Sequence, residues 1–117
     1  MSEPSLSNIG GRDVHDQTIS VDITHRDGIV IVTVTGEIDL DTAPVVRAVL
    51  DNVALDQHIV MDCAGVSFID STGLQLIIAQ FQRMSDAGGS LRLRHTSFPV
   101  RHVIEITGLI QLFEIDA

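Results

Sequence analysis

The chain contains no lysine: its seven basic residues are all arginines, set against sixteen acids, for a formal net charge of -9 over 117 residues. Without lysine there is neither an amine nucleophile nor a phosphate-binding P-loop of the usual kind. The arginines do not gather into a basic patch, and an acidic surface repels phosphate backbones, so nucleic acid is not an expected partner. Cys63 is the only cysteine, which excludes an intramolecular disulfide and predicts a reduced, partly buried thiol. No apolar run approaches the ~20 residues that span a bilayer, and the N-terminus lacks the charged-then-apolar layout of a secretory signal. The expectation is a cytoplasmic protein with no membrane partner. His15, His25, His58, His95 and His102 are scattered and lack zinc-ligand spacing, so no metal and no cofactor are expected. There is no internal repeat.

What is present is a single domain's worth of chain, 44% hydrophobic, with alternating strand and helix patterns. Met1 to Gln17 has no hydrophobic period and reads as a tail without a fold of its own. From residue 18 to 117 the patterns predict one domain. Ile19 to Thr24 and the β-branched Ile29 to Thr35 read as two strands of a hairpin joined at Arg26 to Gly28. "GEIDLDT", Gly36 to Thr42, reads as a loop. A helix follows with Pro44 in its first turn, an apolar stripe of Val45, Val46, Val49 and Leu50, and Asp41 or Thr42 as its cap. A strand over His58 to Cys63 leads through the loop "AGVSFID" into a helix from Ser71 to Asp86, ended by Gly88 and Gly89. Leu74, Ile77, Ile78, Phe81 and Met84 define the expected buried face of that helix. A half-solvated strand over Ser90 to His95, a helix over Pro99 to Thr107 and a last strand over Leu112 to Ile115 complete the order β-β-α-β-α-β-α-β. The fold class is α/β, a mixed sheet with helices packed on it.

The stretch "FIDSTGLQLII", Phe68 to Ile78, carries the chemistry. As local structure, "DSTG" is a helix N-terminus in which either Asp70 or Ser71 can cap. A hydrolase nucleophile elbow would need glycines two residues either side of the serine, and Ile69 and Gly73 stand there instead. A phospho-accepting aspartate at Asp70 lacks its lysine. Ser71 as a phosphate acceptor meets no such objection, because the free N–H groups and the dipole of a helix N-terminus favour negative charge. Phosphorylation there would change the surface without changing the fold.

In a parallel α/β arrangement the loops after the second and third strands emerge at one carboxyl edge, which brings Asp39 of "GEIDLDT" toward "FIDSTG". On the second helix, Leu76, Ala79, Gln80 and Arg83 lie opposite the expected buried stripe. Leu76 is therefore expected on the surface, within one turn of Ser71, as a candidate anchor of a protein interface.

"GEIDLDTAP" (Gly36 to Pro44), "VSFIDSTGLQLI" (Val66 to Ile77), the glycine pair before "LRL" and "ITGL" (Ile106 to Leu109), in that order and spacing, resemble the STAS family, and within it the bacterial anti-sigma factor antagonists. The resemblance covers the chain from Ile19 onward. It implies a non-enzymatic module that binds an anti-sigma factor and so releases a sigma factor for transcription. It further implies that the anti-sigma factor is an ATP-dependent serine kinase that phosphorylates Ser71 and switches the antagonist off. A metal-dependent serine phosphatase would reverse the modification. Asp39 and Asp70 carry over as residues of the phosphorylation site or partner surface, with Thr72 and Gly73 as its neighbours. A STAS module of a transporter or stress-signalling complex without sigma-factor control is the alternative. A nucleotide- or metal-binding protein built on Asp39, Asp70 and Ser71 is a third reading, opposed by the missing lysine and glycine-rich loop.

Overall fold

The computed structural model describes residues 19–53 and 56–108, together with the backbone pairing of 14–15 and 115–116. Its first long strands, β2 (Ile19–Arg26) and β3 (Ile29–Ile38), form an antiparallel hairpin. The turn between them places Asp27 at φ 55° and Gly28 at φ 80°. Two successive positive φ values make a turn whose twist matches that of the flanking strands, which is why the sequence has Asp-Gly there. From β3 the chain runs through α1 (Ala43–Asp51) to β4 (His58–Ile69), through α2 (Ser71–Asp86) to β5 (Ser90–Arg94), and through α3 (Phe98–Thr107) to the short β6 (Ile115–Asp116). β3, β4, β5 and β6 are parallel neighbours, so each helix is the crossover between adjacent strands.

Three differences from the sequence-based expectation stand out. Residues Val14–His15, expected to be unstructured tail, form a strand β1 antiparallel to β2, pairing with Val21 and Ser20. Backbone groups at a sheet edge can be satisfied by a short segment with little hydrophobic pattern, so periodicity did not reveal it. The rest of the tail, and the expected strand residues 112–114, lie outside the described residues. Second, β4 does not end at Cys63. "AGVSFI" continues as strand to Ile69, with the β3 pairing shifting register twice, between Thr33 and Thr35 and between Gly36 and Glu37. An extra residue at each shift breaks the alternation by which a strand is recognised. Third, Thr42 holds the N-cap position of α1 but its side chain makes no cap bond, for a reason given below.

The core lies between one face of the sheet and the three helices. Ile19, Val21, Val30, Val32, Val34, Ile59, Met61, Cys63, Leu91 and Leu93 alternate inward from four strands. Val46, Val49 and Leu50 of α1, Ile77 and Met84 of α2, and Val100 and Ile104 of α3 meet them. Each such side chain contributes about 1.5–3 kcal/mol relative to exposure. Cys63 lies inside this core. Burial, aided by the neighbouring Asp62 carboxylate, pushes its thiol up to about 12, so it is inert as a nucleophile at neutral pH.

The other sheet face carries polar partners. Asp62 Oδ2 accepts from Arg94 Nη2 at 3.0 Å and Nε at 3.2 Å, and lies 3.0 Å from His95 Nδ1, while Asp62 Oδ1 accepts from the Ala64 N–H at 3.0 Å. None of the helices is long and apolar enough to cross a membrane, among the described residues.

Candidate functional site

Glu37 and Ile38 at the end of β3 pair with Phe68 and Ile69 at the end of β4. Both strands therefore finish at one carboxyl edge, and the next residues are Asp39 on one loop and Asp70 on the other. The two loops are tied together directly: the Asp70 N–H donates to the Ile38 carbonyl at 3.2 Å. The structure thus brings the two motifs to a common edge, as the topology predicts.

The first loop is closed by reciprocal bonds. Asp39 Oδ1 accepts from the N–H groups of Asp41 and Thr42, both at 3.0 Å, and the Asp39 N–H donates to Thr42 Oγ1 at 2.9 Å. The Thr42 hydroxyl donates its proton to the Glu37 carbonyl at 2.6 Å. That hydroxyl is committed to the loop, so it does not cap α1. The helix start is served another way. The Ala43 N–H reaches the Asp39 carbonyl at 2.8 Å, Pro44 has no N–H, and Val45 and Val46 donate to the Thr42 carbonyl.

At the second loop the choice between two caps is resolved. Asp70, in extended conformation, accepts the Gly73 N–H on Oδ1 at 3.0 Å, and the Asp70 carbonyl accepts from the Leu74 N–H at 3.0 Å. Ser71 is the first helical residue and is exposed; Thr72 is half-buried. Neither the Ser71 hydroxyl nor the N–H groups of Ser71 and Thr72 have a hydrogen-bonding partner among the described residues. Gly73 is buried for a steric reason. A Cβ there would lie 2.7 Å from Ile38 Cγ2, 2.8 Å from the Ile38 carbonyl oxygen and 2.9 Å from Ile69 Cγ1. Only glycine lets the helix start press against the end of β3.

Leu76 is not a surface anchor. It is 2% exposed, and Gln80 is buried with it. The reason is that α2 packs on two sides, against the sheet and against α1. Gln80 Nε2 donates to Asp51 Oδ1 at 3.0 Å, and Arg83 Nη2 donates to Gln80 Oε1 at 2.7 Å and to the Leu50 carbonyl at 3.3 Å. Of the face assigned to solvent, Ala79 is exposed as expected, whereas Gln80 and Arg83 form the α1 contact. The large apolar groups exposed on the two motif segments are instead Leu40, 70% exposed in the first loop, and Phe68, 47% exposed on β4. Sequence reasoning names neither: it takes Phe68 as loop where the structure has strand, and in the first loop it weighs only the acids. At Leu40 the signal was there: a large apolar residue directly between two acids.

No group of three or more His, Cys, Asp or Glu side chains is placed to hold a metal, among the described residues. The arrangement offers a hydroxyl acceptor on a rigid helix start, with two free N–H donors and two carboxylates beside it.

The family model for the STAS domain matches residues 20–117. The chain is 35% identical over 100 residues to the anti-sigma-B factor antagonist of Bacillus subtilis, covering 85% of this chain and 92% of that protein. It is 37% identical over 100 residues to the anti-sigma-B factor antagonist of Listeria monocytogenes, covering 83% and 88%. Among solved structures, an anti-sigma factor antagonist from Mycobacterium paratuberculosis matches with a TM-score of 0.77 at 28% identity, over 87% of this chain and 88% of that one. SpoIIAA of Bacillus in its phosphorylated form shares the fold, with a TM-score of 0.64 at 22% identity over 83% and 91% of the two chains.

Proposed function

The chain belongs to the STAS family, and on that premise we propose that it is an anti-sigma factor antagonist, a cytoplasmic binding module whose hold on an anti-sigma factor is set by phosphorylation of Ser71. The observation that carries this reading is the division of labour at the start of α2. Asp70 makes the capping bond, and the exposed Ser71 hydroxyl has no hydrogen-bonding partner among the described residues.

The anti-sigma factor is the kinase in this scheme. The bond between the γ-phosphorus of ATP and its bridging oxygen breaks, the Ser71 Oγ–P bond forms, ADP leaves, and the serine proton passes to a base on the kinase. This chain supplies the acceptor and the docking edge. The new group carries about -1.5 to -2 charge and sits where the unpartnered N–H groups of Ser71 and Thr72 and the dipole of α2 stabilise it, so the fold is kept. Toward the partner the effect is the opposite. The phosphate faces the ADP phosphates left in the kinase site and must be desolvated in the complex, which favours release. A metal-dependent serine phosphatase, transferring the phosphoryl group to water, resets the switch.

The test is to capture the tagged chain with its partner from its own cells, add ATP-Mg, and locate phosphate by mass spectrometry. The expected result is an anti-sigma factor in the complex, phosphate on Ser71 and release of the partner, with the Ser71→Ala variant retained in the complex. A stable complex in which Ser71 never gains phosphate, or a partner unrelated to sigma-factor control, would overturn the proposal.

A further inference from the structure

The edge that presents Ser71 also presents two large apolar side chains to solvent, and the backbone that carries each is fixed. Leu40 stands between Asp39 and Asp41, in a loop whose backbone is fixed by the bonds from the Asp41 and Thr42 N–H groups to Asp39 Oδ1. Phe68 is carried by β4 at the position that pairs with Glu37 of β3. An apolar group on a fixed backbone needs no ordering of the chain beneath it when a partner covers it, and such groups dominate interface energetics. Within the two segments that carry them the charge is of one sign. Glu37, Asp39, Asp41 and Asp70 lie in the two segments 36–42 and 64–75, which contain no Arg, Lys or His.

That charge constrains the partner. A kinase that phosphorylates Ser71 brings ATP phosphates to this acidic edge, and like charges at close range oppose docking. Burying carboxylates against a purely apolar surface is also unfavourable, because they lose hydration without gaining a partner. Docking requires cations on the other side. We infer that Leu40 and Phe68 are the apolar anchors of the partner interface, and that the partner receives them on an apolar surface ringed by arginine or lysine side chains. The inference rests on the preceding proposal that an anti-sigma factor docks at Ser71, and it names the chemistry of that docking.

The experiment uses the full chain and the purified anti-sigma factor recovered by the capture described above, with binding followed by biolayer interferometry. Leu40→Ser and Phe68→Thr are each expected to weaken binding about tenfold or more, the scale of an interface hot spot. Ile106→Ser, which removes an equally exposed apolar group from α3, leaves binding unchanged. Raising the salt from about 0.1 M to about 1 M, which shortens the screening length from about 10 Å to about 3 Å, slows association. Leu40 lies in an exposed loop, so its variant keeps the fold and decides the matter if Phe68→Thr loses stability by circular dichroism. Wild-type affinity in the Leu40 variant, or association that does not slow with salt, overturns the inference. The earlier proposal fails differently: no anti-sigma factor is captured, or Ser71 is never phosphorylated.

Discussion

Replacing Gly73 with alanine sets two physical effects against each other. In a helix, alanine is favoured over glycine by about 1 kcal/mol, so local propensity alone predicts a stabilised protein. The structure predicts the reverse. The new methyl would lie 2.8 Å from a backbone oxygen, that of Ile38, and 2.7 Å from Ile38 Cγ2, both too close to be tolerated without movement. Because Ile38 is fixed by its pairing with Ile69 and by accepting the Asp70 N–H, the first turn of α2 must move instead. Overpacking of this kind destabilises by about 1–3 kcal/mol. The movement also strains the bond from the Gly73 N–H to Asp70 Oδ1, a cap worth about 1 kcal/mol. After the propensity gain is subtracted, a net destabilisation of about 2 kcal/mol remains, which lowers a urea midpoint by about 1 M for a domain of this size. With no tryptophan or tyrosine in the chain, the transition is best followed by far-UV circular dichroism. A Gly73→Ala protein as stable as the wild type, or more so, would refute the reasoning and show that the helix start is free to shift.

Two further perturbations test other parts of the fold. Leu76→Ala removes a side chain packed in the core and is expected to destabilise by about 2–5 kcal/mol, whereas a surface position would change stability by no more than about 0.5 kcal/mol; a urea titration giving the smaller value would return Leu76 to the surface. Asp62→Asn tests the polar network of the sheet's other face. Burial raises the Asp62 pKa, but the Ala64 N–H, His95 and Arg94 together outweigh it and hold the carboxyl below its ordinary 3.8. A carboxyl with a depressed folded pKa contributes stability above its unfolded pKa and loses it as pH falls through the folded one. The stability difference between wild type and Asp62→Asn is therefore expected to shrink as the pH is lowered from about 6 toward about 2. A difference that stays constant over that range would refute the assignment.

Local chemistry was legible where one residue type has one use. Asp-Gly between two β-branched runs specified the hairpin turn, and the limits of α2, from Ser71 to Asp86, followed from the polar residues before it and the glycines after it. What depended on a second element was not legible. Periodicity finds one buried stripe on α2, but it cannot say that α1 covers the flank bearing Leu76 and Gln80, because that flank is buried by a helix more than twenty residues earlier. Likewise β4 beyond Cys63 is strand only because β3 runs beside it through two register shifts. At the site, the sequence brought Asp39 and Asp70 to one edge but left open which residue caps α2. The answer depends on side-chain rotamers, which spacing does not encode.

The division of duties at this edge decides how any variant there must be interpreted. Asp39 closes its loop with bonds to two backbone N–H groups, Asp70 caps α2 and ties it to Ile38, and Gly73 permits the close approach. Loss of partner binding on truncating either aspartate therefore mixes a lost charge with a displaced backbone, and the two are separated only by a change that keeps the accepting oxygen while removing the charge, such as aspartate to asparagine. Ser71 is different. Its hydroxyl has no hydrogen-bonding partner among the described residues, so its removal alters chemistry at the surface and leaves the surrounding geometry in place. A structural module can present a modifiable serine at a helix start only if the capping duty is taken by a neighbour, and in this chain the acid directly before the serine takes it.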